Sequence, residues 1–180
     1  MQQNQRIILY ILLLIAGASW TILSANTTSS AASSQTPAPQ AGFPAPDFTL
    51  KTPLGEPYTL SELKGQAVLV NLWATWCPPC RAEMPTIEKM YEEYHDDGFV
   101  VLALNMTYQD DPFAVVPFLQ DHGLTFPILL DETGEAASDY QLHLLPSSYF
   151  INRDGTINEI VIGGPMPETL LRAHIEKILQ

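Results

Sequence analysis

The chain carries two cysteines, Cys77 and Cys80, three positions apart in Trp76-Cys77-Pro78-Pro79-Cys80. On the first turn of a helix that spacing puts both sulfurs on one face, close enough to bond. A structural staple explains the pair poorly. A bridge across so short a loop removes little chain entropy, and a folded unit of this size can stand without one. Reversible thiol–disulfide chemistry explains it better. The segment lies where the apolar run from Ala67 to Trp73 ends and helical spacing begins. A helix N-terminus offers unpaired N–H groups and a partial positive charge, and both favour a thiolate over a thiol. Cys77, at the exposed turn, is expected to attack. Cys80, one turn in, is expected to be shielded and to resolve the mixed disulfide. Pro78 and Pro79 stiffen the loop and withdraw two N–H donors.

Metal binding is the competing use of such a pair. A structural zinc needs four ligands, usually two such pairs or added histidines. The histidines His95, His122, His143 and His174 are scattered and show no ligand spacing. Copper(I), which suits soft thiolates, is the alternative metal, held by Cys77, Cys80 and His143. Tight, stoichiometric copper(I) binding would mark that use. Met84 and Met106 are better read as core than as copper ligands.

The elements that must position the cysteines can be read around them. Phe48-Thr49-Leu50 and Tyr58-Thr59-Leu60 flank the turn signal Pro53-Leu54-Gly55 and predict a short hairpin. Ala67 to Trp73 and Phe99 to Leu104 are continuous apolar runs, as buried central strands require. Residues 78–97 follow helical spacing, with Met84, Ile87, Tyr91 and Tyr94 on one face. Asp110-Asp111 reads as a capped helix start, with Asp111 at the N-cap and Pro112 at the first helical position, running to about His122. Phe126 to Leu130 is a further strand. Ser147 to Ile151 and Ile157 to Ile162 are joined by the turn Asn152-Arg153-Asp154-Gly155. Pro167 and Glu168 open a last helix with Leu171, Ile175 and Ile178 inward. The plan is α/β, a central sheet with helices on both faces.

Ahead of this lies a different composition. Arg6 is followed by an apolar run from Ile7 to Leu23, 17 residues long. A basic flank before an apolar stretch is the export pattern, and the positive-inside bias keeps Arg6 in the cytoplasm. Residues 1–23 are read as a membrane anchor or signal segment. The run is near the lower edge for a spanning helix, and Ala16-Gly17-Ala18 offers a small-residue cleavage site. No cysteine lies nearby, which excludes a lipoprotein anchor. Residues 24–42 are Ser, Thr, Ala, Pro and Gln-rich without charge, a flexible linker. Residues 43–180 are the folded domain. With 46% hydrophobic residues it can form a real core, and the net charge of −12 argues against nucleic acid as a partner.

Other residues can join the cysteines. Glu83 lies three residues after Cys80 on the same predicted helix. If buried, desolvation would raise its pKa and let it pass protons near neutral pH. Solvated, it would sit near Arg81 or Lys89. Trp76 either packs beside Cys77 as a contact surface or belongs to the core. His143 reads as an exposed loop histidine. The Leu145-Pro146 bond, taken alone, reads as trans.

The segment Trp76-Cys77-Pro78-Pro79-Cys80-Arg81-Ala82-Glu83-Met84-Pro85 resembles the active-site segment of the TlpA/ResA/CcmG group of thioredoxin-like proteins. The likeness runs from Ala45-Pro46-Asp47-Phe48 to the C-terminus. Val70-Asn71-Leu72-Trp73 supports it before the cysteines and Leu145-Pro146-Ser147-Ser148-Tyr149-Phe150-Ile151-Asn152 after them. It implies a thioredoxin-like α/β fold: a mixed central sheet flanked by helices, with an N-terminal hairpin and a strand–helix insert between Phe99 and Leu130. It implies a protein-disulfide oxidoreductase using a Cys77–Cys80 redox disulfide and no other cofactor. It gives Glu83 the proton-transfer role that thioredoxin assigns to an acid on the preceding strand, where this chain has Asn71. It makes the Leu145-Pro146 bond cis, beside Cys77, with Leu145 and Trp76 contacting substrate. It implies a single-pass membrane protein with its domain on the extracytoplasmic side, reducing partner disulfides in apocytochrome c or copper-site proteins. Electrons would come from a membrane thiol donor. The alternatives are an oxidising disulfide donor, a copper(I) metallochaperone of the same fold, and a peroxidase. The last expects T-x-x-C, whereas Thr75 stands only two residues before Cys77.

Overall fold

The computed structural model describes residues 36–180. The segment read as a membrane anchor, and the linker up to residue 35, lie outside the described residues.

Continuous apolar runs become the centre of the sheet, and the short mixed runs its edge. The strands are β1 (Thr49–Lys51), β2 (Pro57–Thr59), β3 (Ala67–Trp73), β4 (Phe99–Asn105), β5 (Ile128–Leu130), β6 (Ser147–Ile151) and β7 (Ile157–Ile162). The helices are α1 (Pro78–Tyr94), α2 (Pro112–His122), α3 (Glu135–Asp139) and α4 (Glu168–Leu179). The sheet order is β2-β1-β5-β4-β3-β6-β7. β3, β4 and β5 are parallel, while β6, β7 and the β1–β2 hairpin run antiparallel to their neighbours. The fold is the thioredoxin-like α/β plan that the resemblance implied.

Every residue of β3 is buried. Its alternating side chains therefore feed two cores. Ala67, Leu69 and Trp73 face α1, α2 and α4, with Met84, Ile87, Phe118, Leu171 and Ile175. Val68, Val70 and Leu72 face the other way, onto Phe48, Leu60, Tyr140 and the small residues of α3. Helices thus cover both faces, unequally. The three long ones share the face that carries the cysteines, and the second face is closed by α3 and the N-terminal segment. Met84 and Met106 are fully buried core residues.

Two features escaped the sequence. The five-residue α3 has no apolar period to announce it. It is held by Asp131, whose buried carboxylate accepts from the N–H groups of Gly134 (2.9 Å) and Ala137 (2.8 Å). Residues ahead of Phe43 also join the domain: Gly42 N–H donates to the Ile157 carbonyl at 2.7 Å.

Candidate active site

Cys77 lies four residues beyond the end of β3 and is the N-cap of α1, with Pro78 and Pro79 as the first two helical residues. Proline suits these positions because their N–H groups have no helical acceptor. Cys77 and Cys80 form a disulfide, with Cα atoms 5.3 Å apart. The Cys80 N–H points at Cys77 Sγ across 3.3 Å. It is the first N–H of the helix available to that sulfur, since both intervening residues lack one. Cys80 is fully buried, as expected. Cys77 corrects the expectation of an exposed turn: only 3% of it is accessible. The flanking groove explains this, because its walls rise around the sulfur. It has a volume of about 410 Å³ and is walled by Trp76, Pro78, Tyr108, Leu142, His143 and Leu145.

Trp76 is 56% exposed, so it is not a core residue. Its indole Nε1–H donates to the Gln109 carbonyl at 3.1 Å, which holds the ring out over the groove. Tyr108 and Leu144 add two more exposed apolar side chains beside it. The Leu145–Pro146 peptide bond is cis, as is Gly164–Pro165. Pro146 is buried beneath the groove, and Leu145 is half-buried on its wall. His143 is exposed and lines the groove, in reach of the same opening as Cys77. Among the described residues no three His, Cys, Asp or Glu side chains converge on a common point.

Glu83 is buried on α1, with 2% of it exposed. It reaches neither Arg81 nor Lys89. Arg81 stacks its guanidinium over the Phe118 ring, 5.1 Å from the centroid, and Lys89 pairs with Glu168 at 2.8 Å. Glu83 Oε1 accepts from Asn71 Nδ2 at 2.9 Å, and Oε2 from the Met166 N–H at 3.3 Å. Burial pushes its pKa above the ordinary carboxylate value, opposed by these two bonds. Asn71 sits in the middle of β3 opposite Ser148 of β6, and its Nδ2 also donates to Ser148 Oγ at 3.0 Å.

Sequence reasoning missed what covers Glu83. The segment Gly163-Gly164-Pro165-Met166 after β7 folds across it. A Cβ on Gly164 would lie 2.6 Å from Pro146 Cγ and 2.7 Å from Glu83 Oε2. No side chain fits there, so glycine is what lets this strand end pass between the acid and the proline. The run of glycines and proline was a visible turn signal, but nothing local said where the turn would land. The second omission is Tyr108, which lies in a short 3₁₀ turn between β4 and α2 and lines the groove with Leu145.

Residues 41–160 match the AhpC/TSA family. The chain is similar to the thioredoxin-like protein YneN of Bacillus subtilis, 45% identical over 125 residues, covering 69% of this chain and 72% of that protein. It is similar along 99% of both chains to the thiol-disulfide oxidoreductase ResA of Geobacillus kaustophilus, at 32% identity over 181 residues. Among solved structures it is similar to a candidate thiol:disulfide interchange protein DsbE from Chlorobium tepidum, with a TM-score of 0.72 and 30% identity, covering 78% of this chain and 99% of that one.

Proposed function

Since the chain belongs to the AhpC/TSA family, and within it to the thioredoxin-like thiol–disulfide oxidoreductases of the TlpA/ResA/CcmG group, we propose that it is the reductant of disulfides in partner proteins outside the cytoplasm. The N-terminal apolar run, read as an export segment, supports that location and a single-pass membrane tether. Apocytochrome c before haem attachment, or copper-site proteins, are the proposed partners, and a membrane thiol carrier is the proposed electron source.

The observation that carries the direction is the donor set at Cys77. A strong oxidant of this class is one whose reduced form is stabilised. In the oxidised pair Cys77 Sγ faces one N–H, that of Cys80, because Pro78 and Pro79 have none to give, and a thiolate formed there has the same single helical donor. The reduced pair is therefore modestly stabilised, and it gives up its electrons readily.

The reaction proceeds as two exchanges. Cys77 thiolate attacks one sulfur of the partner disulfide. The partner's S–S bond breaks, its other sulfur leaves as a thiolate, and a Cys77–partner disulfide forms. Cys80 then loses its thiol proton to the Glu83 carboxylate and attacks the Cys77 sulfur. The mixed disulfide breaks, the partner's second thiolate leaves, and the Cys77–Cys80 bond of the present structure results. Two electrons pass from the cysteine pair to the partner, whose thiolates take up two protons, one of them from Glu83. Glu83 lies three residues beyond Cys80 on α1, buried, with its pKa pushed up by desolvation, which suits a group that must accept and return a proton. The partner strand lies along Leu145 and against Trp76 in the groove.

Equilibration of the full chain against dithiothreitol or glutathione at pH 7 tests the direction. The expected reduction potential is near that of thioredoxin, about −270 mV. A value near about −120 mV, that of a disulfide donor, overturns the reading.

A further inference from the structure

Asp110 does not cap α2. That task falls to Asp111, whose Oδ1 accepts from the Phe113 N–H at 2.9 Å. Asp110 turns back toward the cysteines. Its Oδ2 accepts from the Thr75 N–H at 2.6 Å and from Asn105 Nδ2 at 2.7 Å. Its Oδ1 accepts from the Thr75 hydroxyl at 2.5 Å and from the Asp111 N–H at 2.8 Å. Both oxygens are therefore fully served, and both bind Thr75, two residues before Cys77. Asn105 is buried at the end of β4, beside Trp73 in the β3–β4 register. Its own Oδ1 accepts from the Thr107 hydroxyl at 2.9 Å, which fixes which way the amide faces. Around this knot the same two chain segments are joined again. Met106 N–H donates to the Trp73 carbonyl at 2.9 Å and Trp76 Nε1 to the Gln109 carbonyl at 3.1 Å, while Arg81 Nη1, on α1, ties the first segment to itself through the Thr75 carbonyl at 3.1 Å.

We infer that Asp110 is a positioning residue for the redox reaction, clamping Thr75 so that Cys77 stays at the N-cap of α1 in both redox states. The inference rests on Cys77 as the attacking sulfur. In the oxidised protein the disulfide itself holds Cys77 against Cys80. Once that bond is reduced, the loop 74–77 has only its own hydrogen bonds to keep the sulfur over the Cys80 N–H. The Thr75 backbone N–H is the point of this loop held by a carboxylate, and a charged acceptor holds it more firmly than a neutral one. Released, Cys77 drifts from its one donor, and its thiol pKa rises toward the ordinary value of about 8.5.

The sign of that shift separates positioning from a through-space charge. Removing a carboxylate near a thiolate, with no change of geometry, lowers the thiol pKa. Losing the clamp raises it. The other titratable groups nearby are His143 and Tyr108, which share the groove with Cys77, Arg81, which binds the Thr75 carbonyl, and Glu83 further along α1, and they are the same in every variant.

The test is the pH dependence of Cys77 alkylation in the reduced full chain, for wild type, Asp110→Asn and Thr75→Val, each with its reduction potential and urea unfolding midpoint. Asp110→Asn keeps the shape but gives up the charge. Thr75→Val leaves Asp110 charged and removes one donor, so it still reports if the first variant folds poorly. An upward shift of Cys77 in both, larger in Asp110→Asn, with the mixed-disulfide rate at pH 7 falling several-fold, supports the clamp. A downward shift in Asp110→Asn, or no shift in either variant, overturns it. If wild-type Cys77 itself forms no mixed disulfide with a model disulfide, the failure lies in the proposed function and not in Asp110.

Discussion

Two glutamates five residues apart on α1 are both buried, and the molecule treats them differently. Glu88, nearer the far end of the helix, spends both oxygens on one residue: Oε2 accepts from the Thr125 N–H and Oε1 from the Thr125 hydroxyl. That is a tie between the helix and the loop entering β5. Glu83, nearer the cysteines, has the Asn71 amide and one long bond at 3.3 Å from Met166. A carboxylate with strong donors on both oxygens is kept as an anchor. One that is desolvated and sparsely served can exchange a proton at modest cost. Helix, burial and residue type are the same, so the difference lies in what the rest of the fold brings to each.

The comparison breaks most visibly on rate. Replacement of Glu83 by Gln keeps the shape and removes the proposed proton acceptor. Resolution of the mixed disulfide by Cys80, followed by stopped flow, is expected to slow by roughly 10²–10⁴-fold, the usual weight of a general base. Glu88→Gln should leave that rate near wild type. Equal losses in the two variants would show that burial, not position, explains the effect.

Stability should reverse the ranking. Glu88→Ala removes two charge-assisted hydrogen bonds from Thr125, and about 1–3 kcal/mol is expected to be lost in urea unfolding. The oxidised protein with Glu83→Gln should unfold near or above the wild-type midpoint.

The smallest effect is a slope. Burial raises the folded-state pKa of Glu83 above its unfolded value of about 4.5. Above the unfolded pKa the unfolded chain has released a proton that the folded chain still holds. Stability from this group is therefore fully present below the unfolded pKa and is lost as pH rises through the folded one. Unfolding measured from pH 4 to 8 should show the wild type losing stability relative to Glu83→Gln as pH rises. A pH-independent difference would deny the raised pKa.

Much of this site was legible from residues alone, because its signals are local. Ala67 to Trp73 is a buried strand from end to end, and Cys77-Pro78-Pro79-Cys80 opens a helix as its spacing requires. Asp111-Pro112 starts α2 with the cap and the proline that were read there. The misses were relations between segments far apart in sequence. Asp110 and Asp111 look alike in the chain, and one caps a helix while the other grips a loop 35 residues away. Cys77 was read as exposed because a turn is usually open. Residues of the 108–109 turn and the 142–145 loop come from elsewhere to wall it in.

Local spacing is enough to set the chemistry available: two thiols one helical turn apart, two prolines that withhold N–H donors, and an acid one turn further on. These depend on bonds and spacings within a dozen residues, where φ, ψ and helical period leave little choice. Long-range packing sets which of the carboxylates is desolvated and sparsely bonded and which serve as anchors. Desolvation and hydrogen-bond supply depend on what lies within a few ångströms, and at Glu83 those neighbours are Asn71, Pro146, Gly164 and Met166, brought together by the crossing of β3, β6 and the strand end beyond β7.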